Sequence, residues 1–563
     1  MKRKRHTKRV LISLLIAMTI IASSFGVAFA DDGPGGTPPG GFGGGSGGPG
    51  GTSASDISYT GVTEFSSDTA EDGQSYSSLG SDEQAILVSG GTSAISNATV
   101  TKTGDSDGDE SDFYGTNAAV LATSGTLNIS DSDITTNGTH ANGVFAIGDG
   151  VINISDSTIT TSSNTSGGVM VTGGGTLTAN NLTVETSGNS SAPIRSDRGG
   201  GTLTVNGGTY TSHGTGSPVV YSTADITVND AEMTSTASEG VVVEGKNSVT
   251  LNGVTMTADN NTHNGKSETY KAIFLYQSMS GDADEGTASF TAKDSKINVL
   301  NGDTIFVTNT TASIYLENNE IVNESGDFLR IQSGAWGTEG SNGGNVTATL
   351  SNQKIEGDII VDSISSLDLT LENGSKYFGA IDTDNQAGSV NLTMSEDSVL
   401  VLTADTYVDS LTNEDASNSN IYLNGYKLFV NGEETAANEG TYVEDTAEDE
   451  AVQEEVASEE VTETEEETSG SMPYIVGGIV IAAAIAAAAM ILRSKRDDAD
   501  RNWFSFTGLI PFIASAMAFI LTQNMKNGMN GMVLIDRWTA LMIAILAAQA
   551  IIAIMTRENK EEE

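Results

Sequence analysis

Residues 126–136 read TLNISDSDITT and residues 151–161 read VINISDSTITT. The phrase returns as TLTANNLTVET (176–186), TLTVNGGTYTS (202–212), DITVNDAEMTS (225–235) and SVTLNGVTMTA (248–258). Each copy places an apolar residue, a second one two positions on and a third five beyond that, with Asn, Asp, Gly and Ser between. Alternation of period two reads as a strand with one buried face, and the polar cluster between two such runs is turn chemistry. Repetition at a fixed period means a stacked array.

The second apolar residue of each phrase serves as an anchor. Anchors run from Ile95 through Ile129, Ile154, Ala179, Val205, Val228, Leu251, Ala292, Leu316, Leu350, Leu371 and Met394 to Leu423, mostly 21 to 29 residues apart. A strand rises about 3.3 Å per residue, so such a period makes three short strands and three turns before the chain returns above its start. Successive anchors then form an internal aliphatic column, each coil covering the edge of its neighbour. Crossovers between parallel strands are right-handed in nearly all cases. The expected fold is therefore all-β, a right-handed parallel β-helix of about 13 coils, followed by a C-terminal α-helical transmembrane anchor. The frames of a leucine-rich horseshoe and of a propeller are absent.

The chain opens with a basic segment, an apolar run and Ala28-Phe29-Ala30, which reads as a secretory signal peptide over 1–30. Residues 31–53, rich in Gly and Pro, are expected to be a flexible leader, and 54–90 a terminal cap on a β-helical ectodomain that ends near 432. Residues 433–471 read as an acidic stalk; from 444 to 467 there are 13 Asp or Glu and no Lys or Arg. Residues 472–556 are expected to anchor the chain in a lipid bilayer with up to three helices, 473–492, 503–521 and 538–555. Arg493, Lys495 and Arg496 place the end of the first helix in the cytoplasm, and 557–563 form a cytoplasmic tail. The β-helix would then stand on the extracellular side of the cell membrane. The chain has no cysteine, so no disulfide braces it.

The formal charge is -48. Residues 31–471 hold 66 acidic and 12 basic groups, a surface that repels nucleic acid and other polyanions. Three anchor intervals exceed one coil: 34 residues from Ile95, 41 from Leu251 and 34 from Leu316. Excess residues leave a solenoid as loops, where recognition sits. The first holds Asp105, Asp107, Asp109 and Asp112, alternating oxygen ligands around a glycine that suit calcium, although this is not a complete EF-hand loop. The second brings Tyr270, Phe274 and Tyr276 near Lys266 and Lys271, with Phe274 and Leu275 read as a strand dipping into the core. The third holds Phe328, Arg330 and Trp336. Tyr270, Tyr276, Trp336 and Arg330 are the candidate ligand contacts, aromatic and polar groups that suit a sugar face or a protein partner.

The phrases DFYGTNAAVLATSGTLNIS (112–130) and HANGVFAIGDGVINISDSTITT (140–161), with the signal peptide, the glycine-rich leader and the membrane anchor, resemble adhesin-like, right-handed β-helix surface proteins of bacteria and archaea, related in fold to pectate lyases. The resemblance covers roughly residues 55–430 and implies attachment or display. It supplies no catalytic residues. The expected function is recognition of an extracellular glycan or cell-surface partner through the β-helix face and its loops. A carbohydrate-active lyase or glycosidase and a stalk without a specific ligand are the alternatives. Acidic pairs converging in one groove with shifted pKa values would favour the enzyme.

Overall fold

The computed structural model describes residues 57–444 apart from Asp109, Gly265, Lys266, Glu268 and Glu324. The segments expected as signal peptide, leader, membrane helices and cytoplasmic tail, and the expected stalk beyond Glu444, lie outside the described residues. Among the described residues no helix is long and apolar enough to cross a membrane. The chain is a parallel β-solenoid of about 15 turns with almost no helix.

Each full coil contributes one strand to each of three faces. The first face begins with Gly61–Phe65, Gln84–Val88 and the opening of Val120–Ser130, and ends with Thr406–Val408 and Leu428–Val430. The second begins with Thr69–Asp72 and Thr92–Ser96 and ends with Ser410–Asn413. The third begins with Ser75–Ser78 and Thr99–Lys102 and ends with Ile421–Tyr422. Coil stacks on coil in parallel register along every face. One antiparallel pair, Leu428–Val430 with Glu433–Thr435, folds over the C-terminal end.

The anchor column forms as the alternation dictates. Ile95 registers with Ile129, Ile129 with Ile154, and the series continues through Ala179, Val205, Val228 and Leu251 to Met394. All twelve of these side chains are buried. Leu423 departs from the expectation: Met394 stacks on Asn413, and Leu423 follows the third-face strand Ile421–Tyr422. The column also has an earlier rung, where Glu71 registers with Ile95. The phrase therefore misses the first rung and misplaces the last, because Glu71 and Asn413 are polar. The Tyr76 hydroxyl donates to half-buried Glu71 at 2.5 Å.

The corner between the second and third faces explains the Asn, Asp and Gly of the phrase. Asn97, Asp131, Asp156, Asn181, Asp230, Asp294, Asn318, Asn352 and Asn373 all sit there with φ between +47° and +55°, the left-handed region. Short polar side chains tolerate that region because they bond locally, whereas a β-branched residue meets the following carbonyl. Here Asn181 donates to Asp156 at 2.8 Å and Asn318 to Asp294 at 2.6 Å. Asn181→Val is expected to cost about 1–2 kcal/mol and Asn181→Gly only a few tenths. Urea midpoints check this; equal losses for the two variants would exclude the strained corner as the cause.

The three insertions share a destination. The first, 103–119, carries a short helix, Glu110–Tyr114, and enters the first face. The second divides into 260–270 before the first-face strand Lys271–Tyr276 and 277–286 after it. The third, 332–343, leaves the first-face strand Leu329–Ile331. All of them open at an end of a first-face strand.

Candidate functional site

A strand on the edge of a solenoid should point alternate side chains into solvent. On the first face the outward positions are covered instead. They register from Leu87 through Leu121, Phe145, Met170, Arg195, Tyr221, Val242, Phe274 and Phe306 to Arg330. Tyr59 and Tyr114 pack over Leu121, Phe145 and Met170 at one end. Trp336 packs over Phe274 and Tyr276 further along, with ring centroids 5.2 and 5.1 Å away. The insertions thus form a second layer on this one face.

Charged groups fill the middle of the covered stripe. The Arg195 guanidinium donates to Asp197 at 3.1 Å and lies 3.8 Å from Asp112, whose other oxygen meets His140 at 2.9 Å. Arg198 donates to Asp282 at 2.7 Å while its guanidinium lies 3.7 Å above the Phe113 ring. Glu244 accepts hydroxyls from Tyr221 at 2.5 Å, Tyr276 at 2.9 Å and Ser278. Arg198–Asp282 and Glu244–Ser278 tie the 277–286 segment to the face. Burial pushes the Asp197 carboxyl up to about 7 against the pull of Arg195. Burial likewise raises Glu244 despite its hydrogen bonds. These residues escape a reading of sequence in which Arg195 and Arg198 are isolated basic positions. The one available signal is place: Arg195 occupies the first-face outward position that Met170 and Tyr221 hold in the flanking coils.

This network is a fastening. Asp197 is 5% exposed and Glu244 1%, and their oxygens are spent on partners within the protein. A glycosidase needs two carboxylates facing one open groove with room for a sugar. The raised pKa values here belong to sealed groups.

The expected site residues separate. Tyr276 is buried, with its hydroxyl on Glu244, and belongs to the cover. Trp336 is half-buried above it. Phe274 points outward into this aromatic layer, while its neighbour Leu275 enters the core. Phe328 is a core residue. Lys271 is buried against Glu239 at 3.2 Å, and Lys266 lies outside the described residues. Tyr270 and Arg330 do come together. They line a shallow depression with Asn301, Asp303, Ser325 and Gln332. Tyr270 stacks on His263 at 4.4 Å, and Arg330 is held by Asp303 at 2.6 Å and by Asp327.

The described residues of the acidic loop turn to separate partners. Asp105 accepts the Thr139 amide at 2.8 Å, Asp112 turns inward to His140, Asp107 is exposed and Asp109 lies outside the described residues. Among the described residues no three His, Cys, Asp or Glu are placed to hold a metal ion. No family model, curated protein or solved structure matches the chain.

Proposed function

We propose that the chain is a surface-displayed, adhesin-like binding protein that recognises an extracellular glycan through its insertions on the first face. The observation that carries this reading is the depression holding Tyr270 and Arg330. An aromatic ring braced by His263 offers a sugar a flat apolar face. Around it, Asn301, Gln332 and Arg330 supply amide and guanidinium groups for hydroxyls. Arg330 is oriented in advance by Asp303, which lowers the entropy cost of using it. The resemblance to adhesin-like β-helix proteins points the same way. Such a site suits display outside a cell membrane, on the stalk and helices that the sequence places after the solenoid. The calcium expectation at Asp105, Asp107, Asp109 and Asp112 is not required by this site.

The test uses the full-length chain in detergent with immobilised polysaccharides. Tyr270→Ala is expected to weaken retention at least tenfold, about 1.4 kcal/mol, because the stacking surface is lost. Arg330→Ala should weaken it further, while polymer length stays constant. Unchanged retention in both variants would remove this depression from the binding site, and shortening of the polymer would replace adhesion with catalysis.

A further inference from the structure

Among the described residues the second face differs from the first in carrying no covering layer. None of the insertions covers it, and its outward side is uncharged along one lane over ten rungs. That lane registers Thr178, Thr204, Thr227, Thr250, Thr291, Tyr315, Thr349, Thr370, Thr393 and Thr412. Beside it Asn206 donates to Asn180, Asn229 to Asn206 and Asn252 to Asn229, at 2.8 to 2.9 Å.

At the N-terminal end of the same face the continuations of the two lanes line a trough of about 520 Å³. Small side chains make it, Ala94 and Ser96 in one coil and Ser130 and Ser155 in the next two. Amides of Asn128, Asn153 and Asn180 line it, and Asn153 donates to Asn128 at 3.0 Å. Asp72, held by Ser96 and Asn97 at 2.7 Å each, stands at its end. The trough crosses five coils, so it runs along the solenoid axis for roughly 19 Å, four rung spacings of about 4.8 Å.

We propose that this trough binds a neutral, linear polysaccharide laid along the solenoid axis. It is a second site, on a different face from the Tyr270 depression, and it narrows the glycan reading to a chemical class. A linear polymer fits because the lining repeats rung by rung at a spacing close to one sugar unit. Hydroxyls and amides each both donate and accept, as sugar hydroxyls do, and in the trough Asn128 gives one N–H to the Ser93 carbonyl and one carbonyl lone pair to Asn153, half of what its amide can offer. Neutrality follows from charge. The trough holds no cation, ends in Glu71 and Asp72, and belongs to an exported region with 66 acidic against 12 basic groups.

The full-length chain in detergent is run through affinity gels containing a neutral β-glucan, a neutral mannan or polygalacturonate. Ser130→Tyr and Ser155→Tyr fill the trough at outward strand positions where tyrosine is favoured; Ser313→Tyr, on the same face outside it, controls for folding and bulk. At least one neutral polymer should retard the native chain and the Ser313→Tyr chain, with at least tenfold less retardation for the trough variants. Tyr270→Ala should leave a trough-dependent part of that retardation intact, which separates this site from the depression. No retardation by either neutral polymer, equal retardation by polygalacturonate, or indifference to both trough substitutions overturns the proposal.

Discussion

Glu244→Ala is expected to release the 277–286 segment from the first face and to destabilise the chain by roughly 3 kcal/mol. The carboxylate is 1% exposed and accepts from three hydroxyls and from the Ser278 amide, which lies 3.3 Å away. Its removal leaves the hydroxyls of buried Tyr276 and half-buried Tyr221 without that acceptor. Each buried polar group so orphaned costs about 1–3 kcal/mol. Glu244→Gln keeps one acceptor oxygen and is expected to cost roughly 1 kcal/mol. Hydrogen exchange should show the difference locally, with faster exchange through 277–286 in the alanine variant while the anchor column around Val205 and Val228 stays protected. Unchanged exchange in that segment would mean that Arg198–Asp282 fastens it alone.

The second large effect is a pH dependence. Asp197 titrates near 7 in the folded chain, against an ordinary value of 3.8. The folded state therefore binds the proton more tightly than the unfolded one. The stability this group contributes is complete below about pH 4 and is lost as pH rises toward 7, on the order of 1 kcal/mol per pH unit. Carboxylates whose pKa values are lowered, such as Asp415 and Asp397, act in the opposite sense. The comparison that isolates Asp197 is Asp197→Asn, which keeps an acceptor for Arg195 and the Arg198 amide but cannot ionise. Relative to the native chain the variant should gain stability between pH 4 and 7 and run parallel to it above pH 8. A constant difference across that range would show that Asp197 is ionised throughout.

Both predictions concern residues that no local pattern announces. Arg198 and Asp282 are 84 positions apart in the chain, and Glu244 meets Ser278 across 34. The Tyr270 and Arg330 pairing is similar in kind, since Tyr270 precedes the strand Lys271–Tyr276 and Arg330 lies two rungs on, beyond the strand that begins at Asp303. Tyr276 shows where the pattern stops. In KAIFLY the alternation marks which side chains leave the core, but it cannot say whether those that leave meet water or a second layer of protein.

What the sequence determined by itself is the solenoid. Alternation fixes which side of each strand is inward, and the Asn, Asp or Gly at one left-handed corner fixes where each strand ends; both are properties of a few consecutive residues. The column from Ile95 to Met394 follows from them, and so do the positions of the insertions, as departures from the period. Tertiary structure alone decided that all three insertions settle on one face, that the charges beneath them are sealed, and that no described residue covers the second-face lanes of threonine and asparagine. Those outcomes depend on contacts between coils distant in sequence, where the free energy of burying an aromatic ring or pairing a charge is set by what arrives to cover it.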